Sequence, residues 1–137
     1  MYKVFGIALA ILALAIAIVP AYTDCQSQGG VLTLPNGKTT PMKCHWTGRA
    51  EIVAAIPIFA VGAMMVSSRR KSNLQNASIM GIILGALVIA LPMTIIGTCA
   101  TPTMYCNTAM KPALLTMGGI VGVLSVVGVV MSARMKD

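Results

Sequence analysis

Apolar residues gather into four long runs along the chain, separated by shorter polar segments. The runs cover residues 4–21, 52–68, 79–97 and 113–133. Each run is close to the about 20 residues that a helix needs to cross the hydrocarbon core of a bilayer. The pattern therefore predicts an all-α membrane protein with four transmembrane helices, forming a single domain over residues 1–137. The first run resembles a secretory signal, and we expect it to be retained as a transmembrane helix.

Composition agrees with a lipid environment. The chain is 57% hydrophobic and only 9% charged, and its mean hydropathy is +0.86. A soluble domain with this balance would expose large apolar patches to water. The net charge of +7 does not indicate nucleic acid, because the basic residues are scattered at helix ends without a stacking surface. The predicted partner is the lipid bilayer.

The distribution of Lys and Arg predicts the orientation of the helices. A dense cluster, Arg69-Arg70-Lys71, lies in the short loop between the second and third runs. Basic residues on the opposite side are spread over longer loops. Under the positive-inside rule the dense cluster dominates. We therefore expect a multi-pass protein of the cell membrane with both termini cytoplasmic and with loops 22–51 and 98–112 extracytoplasmic.

All four cysteines fall in the two loops predicted to be extracytoplasmic. Cys25 and Cys44 lie in the first loop, and Cys99 and Cys106 lie in the second. Disulfides persist on that side of a membrane. Proximity along the chain favours Cys25–Cys44 and Cys99–Cys106, and pairing across the loops stays open. We expect disulfides that shape these loops.

The first of these loops also contains a turn signal. Two short strand-like segments flank Pro35-Asn36-Gly37, and Asn-Gly tolerates the positive φ angles of a tight turn. The pattern predicts a small β-hairpin. A disulfide between Cys25 and Cys44 would close its base and reduce the entropy of the unfolded loop.

The two halves of the chain follow the same order. Each has an apolar run with a proline near its end, then a cysteine, then Met-x-Cys, then another apolar run. The Met-x-Cys segments are Met42–Cys44 and Met104–Cys106. This order predicts two tandem helical hairpins related by a pseudo-twofold axis along the membrane normal.

Small residues at four-residue spacing are expected to mediate helix packing. Such spacing lets helix backbones approach closely in lipid, where no hydrophobic force drives helices together. We expect packing within the bundle, with oligomerisation as the alternative. The predicted positions are Gly81, Gly85, Gly118, Gly122 and Gly128.

Three residues near the second run are predicted to anchor it at the membrane interface. Trp46 suits the interface because its ring is apolar and its N–H is polar. Glu51 is expected near the positive end of the helix dipole, with Arg49 close by. No charge is expected deep in a helix, which argues against a proton relay.

Few residues suit catalysis. The chain has one His and three acidic residues, so a hydrolytic triad has no obvious members, and no phosphate-binding loop occurs. Met42, His45 and Met104, with the cysteines, are soft ligands suited to a metal such as Cu(I). The alternatives are thus soft-metal or haem handling and membrane thiol–disulfide exchange, although no Cys-x-x-Cys is present. We expect no cofactor.

The stretch Met42-Lys43-Cys44-His45-Trp46-Thr47-Gly48-Arg49-Ala50-Glu51 resembles the first signature of a prokaryotic family of small four-helix membrane proteins. The family is known as a domain of unknown function, number 4418. Ile96-Gly97-Thr98-Cys99, followed by Pro102, Met104, Cys106 and Pro112-Ala113-Leu114, resembles its second signature. The resemblance implies an integral membrane protein with paired outer cysteines. Members of the family are often encoded beside transporter subunits, which implies an accessory role.

The expected function is therefore association. We expect a non-enzymatic protein that acts as a homo-oligomer or within a larger membrane complex.

Overall fold

The computed structural model describes residues 1–23, 31–98, 100 and 102–136. Its helices are α1 (Tyr2–Thr23), α2 (Lys43–Ser67), α3 (Lys71–Ala90) and α4 (Lys111–Arg134). A π-helical turn, Leu91–Ile95, continues α3, and a second one, Cys106–Met110, precedes α4. Between α1 and α2 lie the short strands β1 (Val31–Thr33) and β2 (Thr39–Pro41).

The four predicted membrane-spanning helices are confirmed. Helices α1 and α2 are long and apolar enough to cross a membrane, and so are α3 and α4 when each is taken with its adjoining π-helical turn. Helix α1 packs chiefly against α2, and α3 packs chiefly against α4, while contacts between the two pairs are fewer. The molecule is thus a pair of helical hairpins, and the protein is a multi-pass membrane protein.

The helices begin earlier than the hydropathy pattern predicts. Helix α2 begins at Lys43 rather than at residue 52, and α3 begins at Lys71 rather than at residue 79. The apolar pattern marks only the part of a helix that faces lipid. The polar residues before it continue the same helix, because backbone hydrogen bonds do not depend on hydropathy. Residues 43–51, the last part of the expected first outer loop, are therefore the first turns of α2.

The buried face of each helix follows a spacing of three and four residues. In α1 it consists of Gly6, Leu9, Ala13, Ile16 and Pro20. Such a stripe packs helices at a shallow crossing angle. Large apolar side chains project outward instead, as Ile11 and Val53 do with 62% and 66% of their surface exposed. Exposing large apolar side chains on all four helices would be unfavourable in water, whereas lipid tails are as apolar as these side chains.

Glycines set the distance between α1 and α2. A methyl group added to Gly62 would lie 2.8 Å from the carbonyl oxygen of Gly6 and 3.0 Å from the amide nitrogen of Ala10. A methyl group added to Gly6 would lie 2.7 Å from the carbonyl oxygen of Gly62. The two backbones therefore meet directly, and any side chain at either position would force them apart. Neither glycine of this pair was among the positions predicted to mediate helix packing.

The glycines that the sequence predicted lie between α3 and α4. A methyl group at Gly85 would lie 3.0 Å from the amide nitrogen of Gly122 and 3.1 Å from the carbonyl oxygen of Gly118. Gly81 lies against Ser125, and Gly128 lies against Ser78 and Met65. Added methyl groups at Gly119 and Gly122, by contrast, would meet no atom within 4 Å. One edge of the α4 glycine stripe thus faces away from the bundle.

The predicted β-hairpin is present but short. Strands β1 and β2 pair antiparallel, with Leu32 opposite Thr40. Gly37 has a φ of +77°, which the turn requires, and its amide donates to the carbonyl oxygen of Leu34 at 3.0 Å. Residues 33–40 are all exposed, so the hairpin projects from the bundle. The disulfide expected at its base involves Cys25, which lies outside the described residues.

We predict that Gly62→Ala destabilises the bundle while Gly119→Ala does not. The added methyl group at position 62 meets only backbone atoms and Leu9, which cannot move without separating the helices. Overpacking of this kind costs about 1–3 kcal/mol. The free energy of unfolding, measured by SDS titration in mixed micelles, checks this. Equal effects of the two substitutions would show that α1 and α2 do not meet at Gly62.

Candidate functional site at the cysteine end

The start of α2 carries a row of buried side chains on one face. Cys44, Thr47 and Glu51 are each completely buried. Their spacing of three and four residues places them one above another on the helix. We call this end of the bundle the cysteine end. This row is the inner face of the helix, since the other faces of the same turns carry the exposed residues Lys43, Trp46 and Arg49.

The second hairpin contributes a matching set of residues. Cys106 and Met110, in the π-helical turn before α4, are completely buried. They belong to the same continuous core cluster as Cys44 and Leu91. Thus the cysteines of both Met-x-Cys segments begin the return helix of their hairpin and face the shared core. This placement gives the sequence repeat a structural counterpart.

One hydrogen bond joins the hairpins at this end. The Thr47 hydroxyl lies 2.7 Å from the carbonyl oxygen of Gly97 and 3.3 Å from that of Lys43. The shorter distance assigns the hydroxyl proton to Gly97. Gly97 has a φ of +80°, a conformation that residues with a side chain rarely adopt. The reversal of the chain at Gly97 thus ends α3 and its π-helical turn beside α2.

A second bond closes the loop between α3 and α4. The Thr98 hydroxyl donates to Oδ1 of Asn107 at 2.6 Å. The bond links the residue after Gly97 to the turn that contains Cys106. It therefore ties the residue that follows Gly97 to the turn beside the buried cysteine. The predicted partner Cys99 lies in this loop and, like Cys25, outside the described residues, so both disulfides stay predictions.

Glu51 differs most from its expected environment. Its side chain is completely buried, and neither carboxylate oxygen has a hydrogen-bond partner among the described residues. Arg49 is exposed on another face, because residues two apart on a helix do not face each other. Glu51 therefore does not lie beside Arg49, and its predicted role as an interface anchor stays a prediction. A buried carboxyl group without a partner costs free energy, which makes Glu51 a functional candidate.

The other predicted site residues lie around this cluster. Met42 and Met104 are partly buried and pack against the core. His45 lies edge-to-face with Trp46, their ring centroids 6.0 Å apart, and Trp46 is 59% exposed. Among the described residues, no three His, Cys, Asp or Glu side chains lie close enough to hold a metal ion. The soft-metal assignment of Met42, His45 and Met104 therefore stays a prediction.

Sequence reasoning missed the roles of Thr47, Gly97 and buried Glu51. A signal for Glu51 was available, since Cys44, Thr47, Glu51, Ala54 and Ile58 follow the three-and-four spacing of a buried face. No comparable signal links Thr47 to Gly97. Their bond joins residues that are 50 positions apart in the chain.

We predict that Thr47→Val lowers the free energy of unfolding by about 1 kcal/mol, because valine keeps the shape of threonine but leaves the Gly97 carbonyl without its donor. Thr116→Val is the matched control. The Thr116 hydroxyl is exposed and bonds only within its own helix, to Pro112 and Ala113. SDS titration of both variants checks this. A loss that is the same for both would reflect helix propensity rather than the link between hairpins.

We predict that Glu51→Met raises the free energy of unfolding by about 1–3 kcal/mol, since methionine fills a similar volume without a buried polar group. Arg49→Met, which removes an exposed charge from the same turn, should change it by less than about 0.5 kcal/mol. Unfolding in mixed micelles distinguishes them. Destabilisation by Glu51→Met would mean that the carboxyl group has a stabilising partner in the membrane.

Comparison with known proteins gives a single positive result. A search of curated proteins and of solved structures found no significant match. The profile of one family, described as Domain of unknown function (DUF4418), matches residues 3–131. The match includes all four helices up to the last turn of α4 and every residue of the cysteine end. This chain therefore belongs to the DUF4418 family, whose function is unknown.

Proposed function

We propose that this protein is a non-enzymatic integral membrane protein that acts by association. It serves either as an accessory subunit of a transporter-like membrane complex or as a self-assembling structural protein. The observation that carries the proposal is an apolar groove on the outer side of α3 and α4. The groove has a volume of about 420 Å³ and is lined by glycine and aliphatic residues, among them Gly119, Gly122 and Val126.

The groove is suited to a helix of another chain. Gly119 and Gly122 leave room for such a helix, because a methyl group added to either would meet no described atom within 4 Å, although the backbone of Gly122 lies against Gly85. Val123 and Val126, on the same face, are 63% and 49% exposed. Outward-facing small residues beside valines let a second helix backbone approach closely. Lipid tails could fill the same volume, but they do not make the close backbone contacts that a second helix would make with the glycines.

The cysteine end supports the same proposal. Cys44 and Cys106 lie in the core, and the Thr47–Gly97 bond joins the hairpins. These contacts help to hold the two hairpins together at this end. We propose that disulfides formed with Cys25 and Cys99 hold the adjoining loops, that these loops are extracytoplasmic, and that both termini are cytoplasmic in the cell membrane.

The second candidate function is thiol–disulfide exchange or soft-metal handling at the cysteine end. It is favoured by the placement of both Met-x-Cys cysteines at one end and in one core cluster. Sulfur ligands suit Cu(I), and a cysteine pair suits redox exchange. The burial of Cys44 and Cys106 opposes it, since exchange requires that an attacking thiolate reach the sulfur.

The predicted outcome is that filling the groove abolishes assembly without unfolding the bundle. Wild-type protein purified from native membranes in mild detergent, without reductant, should carry a second copy or another chain at fixed stoichiometry. The double variant Gly119→Leu/Gly122→Leu should appear as a monomer by native mass spectrometry, slightly heavier than the 14.2 kDa wild-type chain. We expect the bundle to tolerate both substitutions, because the first side-chain carbon at either position would meet no described atom within 4 Å.

The matched control is Ala60→Leu/Ala63→Leu, which places leucines at two exposed positions of α2. It should assemble as the wild type does. A monomeric wild type, or assembly retained by the groove variant, would refute association through this face. In the same sample, intact mass under denaturing conditions counts the thiols. Two disulfides without bound metal agree with a structural role, whereas readily exchanging thiols or bound copper would establish the second candidate.

A further inference from the structure

A polar cleft lies at the end of the bundle opposite the cysteines. It has a volume of about 490 Å³ and lies where the link between α2 and α3 meets the end of α4. Met135, which packs against the core, brings the neighbouring Lys136 to the cleft. We call this end the basic end. The cleft is lined by Arg69, Arg70, Lys71, Ser72, Gln75, Met135 and Lys136.

Among the described residues, the lining carries four positive charges and no carboxylate. The side chains of Arg69, Arg70 and Lys136 are exposed, and none of these three side chains makes a hydrogen bond or ion pair with a described residue. Asp137, which follows Lys136, is outside the described residues. Like charges brought together in this way repel one another unless an anion lies between them. Ser72 and Gln75 add neutral donors to the same cleft.

The N-terminus of α3 adds to the positive potential. Helix α3 begins at Lys71, its N-cap Arg70 makes no side-chain hydrogen bond to it, and its first turn has no acidic residue. Within α3 and its N-cap, therefore, no acidic side chain compensates the positive end of the helix dipole. An anion in the cleft would meet both this dipole and the arginine and lysine side chains.

The surroundings of the cleft favour an amphiphile over a soluble anion. Farther along the helices, beyond the exposed polar residues Ser67, Asn73 and Asn76, the outward-facing residues are apolar. Met64 is 49% exposed, Ile79 44% and Met80 53%. The cleft thus lies where a lipid headgroup would lie, and the adjoining helix surface lies where acyl chains would run. Arginine forks match the oxygens of a phosphate diester.

We propose that the cleft at the basic end binds the phosphate of an anionic phospholipid, with the acyl chains of that lipid on the exposed apolar surface of α2 and α3. The site goes beyond the association proposed above and does not depend on it, because it lies on the link 69–71 and Lys136 rather than in the α3–α4 groove.

The test is retention of lipid by the purified protein. Protein in mild detergent is mixed with equal amounts of phosphatidylglycerol and phosphatidylcholine, and bound lipid is counted by native mass spectrometry. Phosphatidylglycerol should be retained in preference. The variant Arg69→Gln/Arg70→Gln/Lys136→Gln should lose this preference by about fivefold for each cation removed. Lys71 is left unchanged because α3 begins there.

The matched control, Lys38→Gln/Lys43→Gln/Lys111→Gln, removes the same net charge elsewhere, on the hairpin and at the starts of α2 and α4. It should keep the wild-type preference. An equal loss in both variants would show that binding follows net charge alone and would overturn the proposal, as would equal retention of the two lipids. Displacement of the lipid by millimolar inorganic phosphate would make the cleft a soluble-anion site. Thermal unfolding of each variant verifies that the fold is retained.

Discussion

The bundle depends on the direct contact of helix backbones inside each hairpin. Gly6 and Gly62 bring α1 and α2 together, and Gly85 meets Gly118 and Gly122 between α3 and α4. In lipid, apolar side chains gain little by leaving their surroundings, so close packing has to hold the helices together. Small residues on the inner faces and large apolar residues on the outer faces follow from this one constraint.

The contact between the hairpins is of another kind. Fewer residues meet there than within either hairpin, and at the cysteine end polar groups contribute to it. The Thr47 hydroxyl donates to a carbonyl that the positive φ of Gly97 directs toward α2. Cys44 and Cys106 lie in the shared core beside it. The repeated Met-x-Cys segment therefore marks equivalent positions in two hairpins, each at the start of the return helix.

The two ends of the bundle differ in whether their ionisable groups are buried or exposed. At the cysteine end, the carboxyl group of Glu51 is enclosed without a partner among the described residues. At the basic end, four cations surround an open cleft. Enclosed charge costs free energy, whereas exposed charge of one sign attracts a counterion from its surroundings. The unpartnered carboxyl group of Glu51 thus affects the interior of the bundle, whereas the cations of the basic end can interact with the membrane surface.

The sequence alone determined the membrane class, the four helices and the small hairpin. Hydropathy reports the lipid-facing surface, and Pro35-Asn36-Gly37 specifies a turn through local backbone preferences. It placed the start of α2 too late, because the polar turns from Lys43 to Glu51 continue a helix that hydropathy does not register. Local patterns of this kind require no knowledge of which helices are neighbours.

Only the tertiary structure decided which residues meet. Gly6 and Gly62 lie in different helices, as do Thr47 and Gly97, and no local pattern pairs them. The glycines of α4 illustrate the same limit, because Gly118 and Gly122 are four residues apart, yet an added methyl group would meet α3 at Gly118 and no described atom within 4 Å at Gly122. Glu51 was expected beside Arg49, yet its side chain faces the interior of the bundle. Which face of a helix is buried depends on where its neighbours lie, and that is fixed by packing between segments distant in the chain.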